Sequence, residues 1–143
     1  MDTPLDTGAE VVVALDWNKR FDHMQQHSGQ HLITAIAEQT FSLVTTSWTL
    51  GEEVSYIELD SSSVSEQTIK QLEDIVNEKI MSSIPVSVEL FDKNDKQLEE
   101  VRSRLELPED QNGPIRVVSI EGIDRNTCCG THVSNLSHLQ VFY

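Results

Sequence analysis

The chain has 143 residues, of which 38% are hydrophobic, and a formal net charge of −14 from 24 acidic and 10 basic residues. This composition is sufficient for a modest hydrophobic core, it is not that of a disordered chain, and it contains no apolar run of the roughly 18 residues that a membrane span needs. The negative charge can be explained as a solvated surface that keeps a small protein soluble. It also opposes tight phosphate binding, which relies on Lys and Arg, so a nucleic-acid partner would have to be held by local contacts or with the help of another molecule.

The N-terminus and the cysteines indicate a cytoplasmic protein. Residues 1–9 predict a loose leader before a domain over 10–143, and the acidic start lacks the long apolar segment of a secretory signal. Cys128 and Cys129 are adjacent, and neighbouring cysteines rarely bridge each other because the geometry is strained. We therefore expect a reducing compartment.

The first half of the chain predicts a strand, a long helix and a hairpin, in that order. "EVVVALDW" (10–17) is rich in β-branched residues and predicts a strand, whereas 18–39 has helical periodicity and no proline. Strands are predicted over 43–50 and 54–60, with Gly51 at the turn between them.

The second helix is predicted from a capping box and an apolar stripe. Ser63 precedes Glu66 by three positions, the spacing that caps a helix N-terminus, and Pro85 closes the segment. The stripe recurs at helical spacing. Its members are Ile69, Leu72, Ile75, Val76 and Ile80.

The remaining segments predict mostly strands. The predictions are a strand over 86–91, a short helix over 95–107 with Leu98, Val101 and Leu105 inward, a turn over 108–114, and strands over 115–122 and 139–143. Strands and helices do not alternate strictly, so we predict an α+β fold in which helices lie on one face of a largely antiparallel sheet.

Two pairs of potential metal ligands stand about a hundred residues apart. His27 and His31 are four residues apart on the predicted helix and can therefore point to one place. Alone, such a pair is more often a solvated helix face than a pair of metal ligands. Cys128 and His132 are also four apart, and Gly130 between them permits a tight turn. Imidazole and thiolate are ligands that zinc accepts readily, and four of them complete its tetrahedral shell. The two pairs together predict a Zn2+ site.

Three further side chains are weaker candidates. His23 lies one turn before His27, and we favour a role other than ligation, as a neighbour of the site or as exposed polar surface. His138 has no evident partner in the sequence. Cys129 has the chemistry of a nucleophile, but beside a metal ligand it is more often a spectator thiol.

The motifs "HSGQHL" and "CCGTHV" resemble the two metal-binding motifs of the alanyl-tRNA editing family, which includes the editing domain of alanyl-tRNA synthetase and the free-standing AlaX proteins. The resemblance extends from about residue 10 to residue 142. The threonyl-tRNA synthetase editing domain shares the plan, but "GTH" is closer to the alanyl branch.

The resemblance implies a single editing-like domain that deacylates misacylated tRNA(Ala), chiefly seryl-tRNA(Ala), and that contacts the acceptor end. It implies that the zinc ligands are His27, His31, Cys128 and His132. In this family a threonine of the region after the metal helix is thought to read the serine hydroxyl, so we expect Thr45 or Thr46 to line the pocket. Catalytic residues other than the ligands are not indicated by the sequence.

Two alternatives follow from the same residues. Four protein ligands make a closed site, which is typical of structural zinc. The chain could therefore be an inactive, zinc-stabilised module that binds another protein. A metalloprotease is less favoured, because Ser28 follows His27 where such enzymes have a glutamate base. Lys19, Arg20, Arg116 and Arg125 are the few bases near the motifs, either for phosphates or for solubility.

Overall fold

The computed structural model describes residues 4, 6–51, 54–102 and 113–143. The helices are α1 (Trp17–Phe41) and α2 (Glu66–Met81), and the strands are β1 (Thr45–Thr49), β2 (Tyr56–Leu59), β3 (Val86–Phe91), β4 (Ile115–Ile120) and β5 (Asp124–Thr127). Short 3₁₀ helices span Lys96–Glu100 and Leu136–Leu139. No helix in the described part of the chain is long and apolar enough to cross a membrane.

The α+β prediction is confirmed, and every paired strand among the described residues is antiparallel. The strands form two sheets: β1 and β2 make a hairpin, and β3, β4 and β5 make a three-stranded sheet in that order. The predicted domain boundary between 1–9 and 10–143 stays a prediction, since part of the leader lies outside the described residues.

The main core lies between the two helices and one face of the three-stranded sheet. Leu32 and Ile36 of α1 pack with Val76 of α2 and with Val118 and Ile120 of β4. The helices therefore cover one face, as predicted.

The opposite face of the three-stranded sheet has a smaller apolar cluster. Phe91, Ile115 and Val117 are buried there, and Leu98 and Val101 pack against them. The inward positions predicted for Leu98 and Val101 are thus confirmed. The helix predicted over 95–107 is only a 3₁₀ turn, and Leu105 lies outside the described residues, as does most of the predicted turn over 108–114.

The strand predicted over 10–17 is wrong. α1 already begins at Trp17, where the Asp16 side chain caps the helix by accepting a hydrogen bond from the Lys19 backbone N–H at 3.1 Å. Val12 is 97% exposed and Val13 87% exposed. β-Branched residues favour a strand only when a neighbouring strand and a buried face receive them, and this segment has neither among the described residues.

The strand predicted over 139–143 is also wrong. After the 3₁₀ helix Leu136–Leu139, Gln140 has a φ of 63°, which no strand allows. The Asn77 side chain then takes the place of a strand partner: its Nδ2 donates to the Phe142 carbonyl at 2.7 Å and its Oδ1 accepts from the Phe142 N–H at 2.8 Å.

The second helix is present, but it begins two residues later than the predicted cap implies. Ser65, rather than Ser63, is the N-cap, and its hydroxyl accepts a hydrogen bond from the Thr68 N–H at 3.1 Å. Leu72, Val76 and Ile80 are buried, whereas Ile69, in the first turn, is exposed.

Candidate metal centre

The middle of α1 presents two imidazoles on one side. His27 and His31 are one turn apart, and their ring centroids lie 4.9 Å from each other. Ser28 and Leu32, which alternate with them, are buried with exposed fractions of 1% and 0%. The helix is therefore fixed against the core by the residues that flank the histidines.

The segment after β5 presents the second pair. The Cys128 N–H donates to the Arg116 carbonyl at 3.2 Å, and the Arg116 guanidinium donates through Nη1 to the Cys128 and Gly130 carbonyls. On the other side the Val133 N–H donates to the Ser28 hydroxyl oxygen at 3.0 Å. The loop is thereby tied to β4 at one end and to α1 at the other.

The two pairs meet at one point. One ligand atom from each of His27, His31, Cys128 and His132 lies within 4.8 Å of all the others. The Cys128 Sγ lies 3.6 Å from His27 Nε2 and 3.3 Å from His132 Nε2. Tetrahedral zinc with ordinary Zn–N and Zn–S bonds places its ligand atoms about 3.3–3.8 Å apart. Both sulfur–nitrogen distances fit such an ion, and so does the donor chemistry of the four residues.

Gly130 is required by close packing. A Cβ at this position would lie 2.2 Å from His27 Cε1 and 2.6 Å from its Nδ1. The φ of Gly130 is not in the left-handed region, so its value here is the absence of a side chain rather than backbone freedom. The loop can approach the helix closely enough for Cys128 to face the histidines only because residue 130 has no Cβ.

Burial favours the neutral forms of three of these side chains, His27, His132 and Cys128. It lowers the pKa of His132 to about 3, with help from the nearby His27 and Arg116. It also lowers the pKa of His27, although the bond to the Thr131 carbonyl opposes the shift. Burial raises the pKa of the Cys128 thiol. Neutral imidazoles offer free lone pairs, and a cation among them would favour the thiolate.

Hydrogen bonds orient the imidazole rings of His27 and His132. His27 Nδ1 lies 3.3 Å from the Thr131 carbonyl oxygen, which can only accept a hydrogen bond. Nδ1 therefore carries the proton, and the lone pair of Nε2 faces the cluster for metal binding. His132 Nδ1 lies 3.0 Å from the Ser28 hydroxyl. Such contacts to the second ring nitrogen fix the tautomer and direction of a metal-binding histidine.

The other predicted residues lie outside the cluster. His23 and Cys129 are exposed, and the His138 ring lies 6.1 Å from that of Phe21. Thr45 is buried, with its hydroxyl 3.1 Å from that of Thr34, whereas Thr46 is exposed and its hydroxyl donates to the Glu58 carbonyl at 3.3 Å. Neither threonine's predicted contact with substrate is tested by this geometry.

Sequence reasoning missed three residues that contact the centre. The sequence offers Ser28 only as a position without a glutamate, and Arg116 as a base either for phosphates or for solubility. Both residues instead hold the Cys128–His132 loop. Trp48 stacks on His27, with ring centroids 5.8 Å apart and an interplanar angle of 27°. The sequence carried no signal for Trp48, because its direction depends on an irregularity in β1.

The comparisons with known proteins agree with the two motifs. Residues 115–143 match the family model described as the threonyl and alanyl tRNA synthetase second additional domain. The chain is 57% identical over 141 residues to the Danio rerio alanyl-tRNA editing protein Aarsd1, covering 99% of this chain and 34% of that protein.

Two further relatives give the same result. Identity is 58% over 140 residues to the Mus musculus Aarsd1, with 98% of this chain and 34% of that protein covered. It is 31% over 129 residues to the Pyrococcus horikoshii alanyl-tRNA editing protein AlaX-L, with 90% and 31% covered. The resemblance inferred from the two motifs is thus confirmed: over nearly its whole length the chain is similar to the alanyl-tRNA editing proteins, and it spans about a third of their length.

Proposed function

We propose that the chain acts as a zinc-dependent hydrolase that removes the amino acid from misacylated tRNA(Ala), chiefly seryl-tRNA(Ala). The observation that carries this proposal is the convergence of His27, His31, Cys128 and His132, from two distant segments, within 4.8 Å of one another. Relatives with 57% and 58% identity are named alanyl-tRNA editing proteins, which supports the reaction class.

The mixed nitrogen and sulfur donor set favours zinc over magnesium or calcium, which prefer oxygen. When bound, zinc would act as a Lewis acid toward an ester carbonyl. The protein's own part is to hold the donors in place before substrate arrives. Thr131 and Ser28 orient the rings of His27 and His132, and Arg116 anchors the loop that carries Cys128.

Discrimination between serine and alanine requires a group that bonds the serine hydroxyl. A pocket built for a hydroxyl can reject the substrate that lacks it by large factors, because its polar groups would be left without partners. We propose that Thr45 or Thr46 has this role, since both lie on β1, the strand that also places Trp48 on His27. Replacing each with valine should slow hydrolysis of seryl-tRNA(Ala) in one case, and unchanged rates in both would end the idea.

The partner would be the acceptor end of the misacylated tRNA, in the cytoplasm. Two of the bases near the motifs already have contacts within the chain. Arg116 donates hydrogen bonds to the Cys128–His132 loop, and the Arg125 guanidinium lies 5.6 Å from the Phe91 ring centroid. With a net charge of −14, the chain offers little electrostatic attraction for a tRNA body. Recognition confined to the single-stranded end fits this charge better.

A second candidate is an inactive, zinc-stabilised module that binds another protein. The observation that favours it is the number of protein donors: four fill a tetrahedral shell and leave no open position. In that case zinc would raise the melting temperature but no ester would be cleaved.

Deacylation of seryl-tRNA(Ala), measured together with metal content, tests both. The matched pair is Cys128→Ala and Cys129→Ala, adjacent thiols of which only the first is in the cluster. We expect the first variant to lose metal and activity and the second to keep both. Bound zinc without turnover in the unmodified chain would support the interaction module instead.

A further inference from the structure

Trp48 reaches the metal centre because of a β-bulge. In a regular strand Thr45 and Trp48, three positions apart, would point to opposite faces. The pairing of β1 with β2 shifts between Thr45 and Ser47, and a bulge of this kind re-aims the side chains that follow it. Thr45 consequently contacts Thr34 of α1 at 3.1 Å, and Trp48 stacks on His27 of the same helix.

The Trp48 ring is open to solvent although it stacks on a candidate ligand. Its exposed fraction is 39%. The Nδ1 atoms of His27 and His132 are covered by the Thr131 carbonyl and the Ser28 hydroxyl. An indole that has one side against His27 and another in water leaves an aromatic surface directly beside the centre.

We propose that Trp48 is the stacking platform for the terminal purine base of a single-stranded RNA 3′ end. This inference rests on the proposed function, because the ester to be cleaved is attached to the ribose of that base. Stacking on an aromatic ring is a main source of affinity for unpaired nucleotides. A chain of net charge −14 depends on it more than a basic protein does, because it gains little from phosphates.

The same hairpin supplies a matched control. Tyr56 of β2 is even more exposed, at 64%. Trp48 pairs with Ile57 and Tyr56 pairs with Thr49, so Tyr56 and Trp48 point to opposite faces of the hairpin. Replacement of Tyr56 therefore removes an exposed aromatic side chain from the same hairpin without changing a contact of the metal centre.

Binding of the oligonucleotide 5′-ACCA-3′ to the zinc-loaded chain tests the proposal without turnover. With a labelled oligonucleotide and fluorescence anisotropy, Trp48→Leu should weaken binding by about tenfold to a hundredfold, the range for one lost stacking contact. Trp48→Phe should recover part of the loss, and Tyr56→Leu should bind like the unmodified chain. Metal content, measured for every variant, should be unchanged.

Fluorescence of Trp48 itself gives an independent readout. The chain has two tryptophans, and Trp17 stacks on Phe21 in the first turns of α1. In a Trp17→Phe background, addition of ACCA should quench the remaining emission. An oligonucleotide that ends in an abasic ribose should quench it much less.

The outcomes separate this inference from the proposed function. Binding that depends on Trp48 in a chain with no deacylase activity would support the platform and refute the hydrolase. Deacylation with an unchanged KM in Trp48→Leu would refute the platform and leave the hydrolase standing. No binding of ACCA, or equal losses in Trp48→Leu and Tyr56→Leu, would also overturn the platform.

Discussion

Helix α1 contributes to two polar clusters that differ in the chemistry of their side chains. Near its middle, His27 and His31 meet Cys128 and His132, and burial holds two of these imidazoles neutral. Near its end, Glu38 contacts Arg102, whose Nη2 also donates to Asp124 Oδ2 at 2.9 Å. The second cluster holds two carboxylates around one guanidinium, whereas the first brings four potential metal ligands together.

This difference separates a binding site from a structural bridge. Two acids around one guanidinium join α1 to β5 and to the segment after the 3₁₀ helix Lys96–Glu100. The four side chains around His27 instead have the donor chemistry of a zinc site. We therefore expect substitutions at the first cluster to change metal binding, and substitutions at the second to change folding stability.

The largest effect should follow from His27→Ala compared with His23→Ala. Both remove a histidine from the same helix, one turn apart, but only His27 belongs to the cluster. We expect His27→Ala to weaken zinc binding by more than about a hundredfold. That exceeds the roughly 10–100-fold loss typical when a residue that hydrogen-bonds a ligand is replaced. The check is competition with a chelator of known affinity, and equal affinity in both variants would remove His27 from the ligand set.

Arg102→Met should have the next largest effect, on stability rather than on metal. The side chains of Arg102, Glu38 and Asp124 are 23%, 25% and 7% exposed, so removal of the cation leaves two partly buried carboxylates without it. We expect a loss of roughly 2–4 kcal/mol in the free energy of unfolding, near the lower end for broken buried pairs. Urea denaturation measures it. A change in zinc affinity of the folded protein would contradict the separation of the two clusters.

Gly130→Ala should weaken zinc binding moderately, by about tenfold or more. The new Cβ would lie 2.2 Å from His27 Cε1, so the loop or the ring must move and a ligand moves with it. Gly29→Ala is the matched control, because its Cβ would meet nothing within 4 Å. In a helix that exchange should stabilise by about 0.5–1 kcal/mol. Identical zinc affinities for the two variants would show that the close approach is unimportant.

The smallest effect concerns pH and Asp124. Burial raises the pKa of this carboxyl above its usual value, although Arg102 opposes the shift. The folded state then holds the proton more tightly than the unfolded state. The contribution of Asp124 to stability is therefore fully present below the unfolded pKa and is lost as pH rises through the folded pKa. Relative to Asp124→Asn, the unmodified chain should gain stability on acidification toward pH 4 in urea titrations, and a relative loss would reverse the sign.

The sequence was informative where function depends on local spacing. His27 and His31 lie together because a helix repeats every 3.6 residues, and Cys128 and His132 are bridged by a short loop with Gly130. That these pairs meet was inferable from chemistry, since each supplies half of a zinc shell. The antiparallel pairing of β1 with β2, and the strand β3, followed equally from local pattern.

The sequence was uninformative where structure depends on distant partners. Val11, Val12 and Val13 have strand propensity but no neighbouring strand among the described residues, whereas "DRNT" in β5 is polar and pairs with β4 over four residues. The direction of Trp48 depends on a bulge that no local pattern encodes. Arg116 likewise could be identified as the anchor of the cysteine loop only after β4 and that loop were seen side by side.

The most direct test of the account is X-ray absorption at the zinc edge of the zinc-loaded chain. We predict a first shell of three nitrogen neighbours at about 2.0–2.1 Å and one sulfur neighbour at about 2.3 Å, with the sulfur contribution lost in Cys128→Ala and kept in Cys129→Ala. A shell without sulfur, or one that is the same in both variants, would contradict the claim that the helix and the cysteine loop hold a single ion between them.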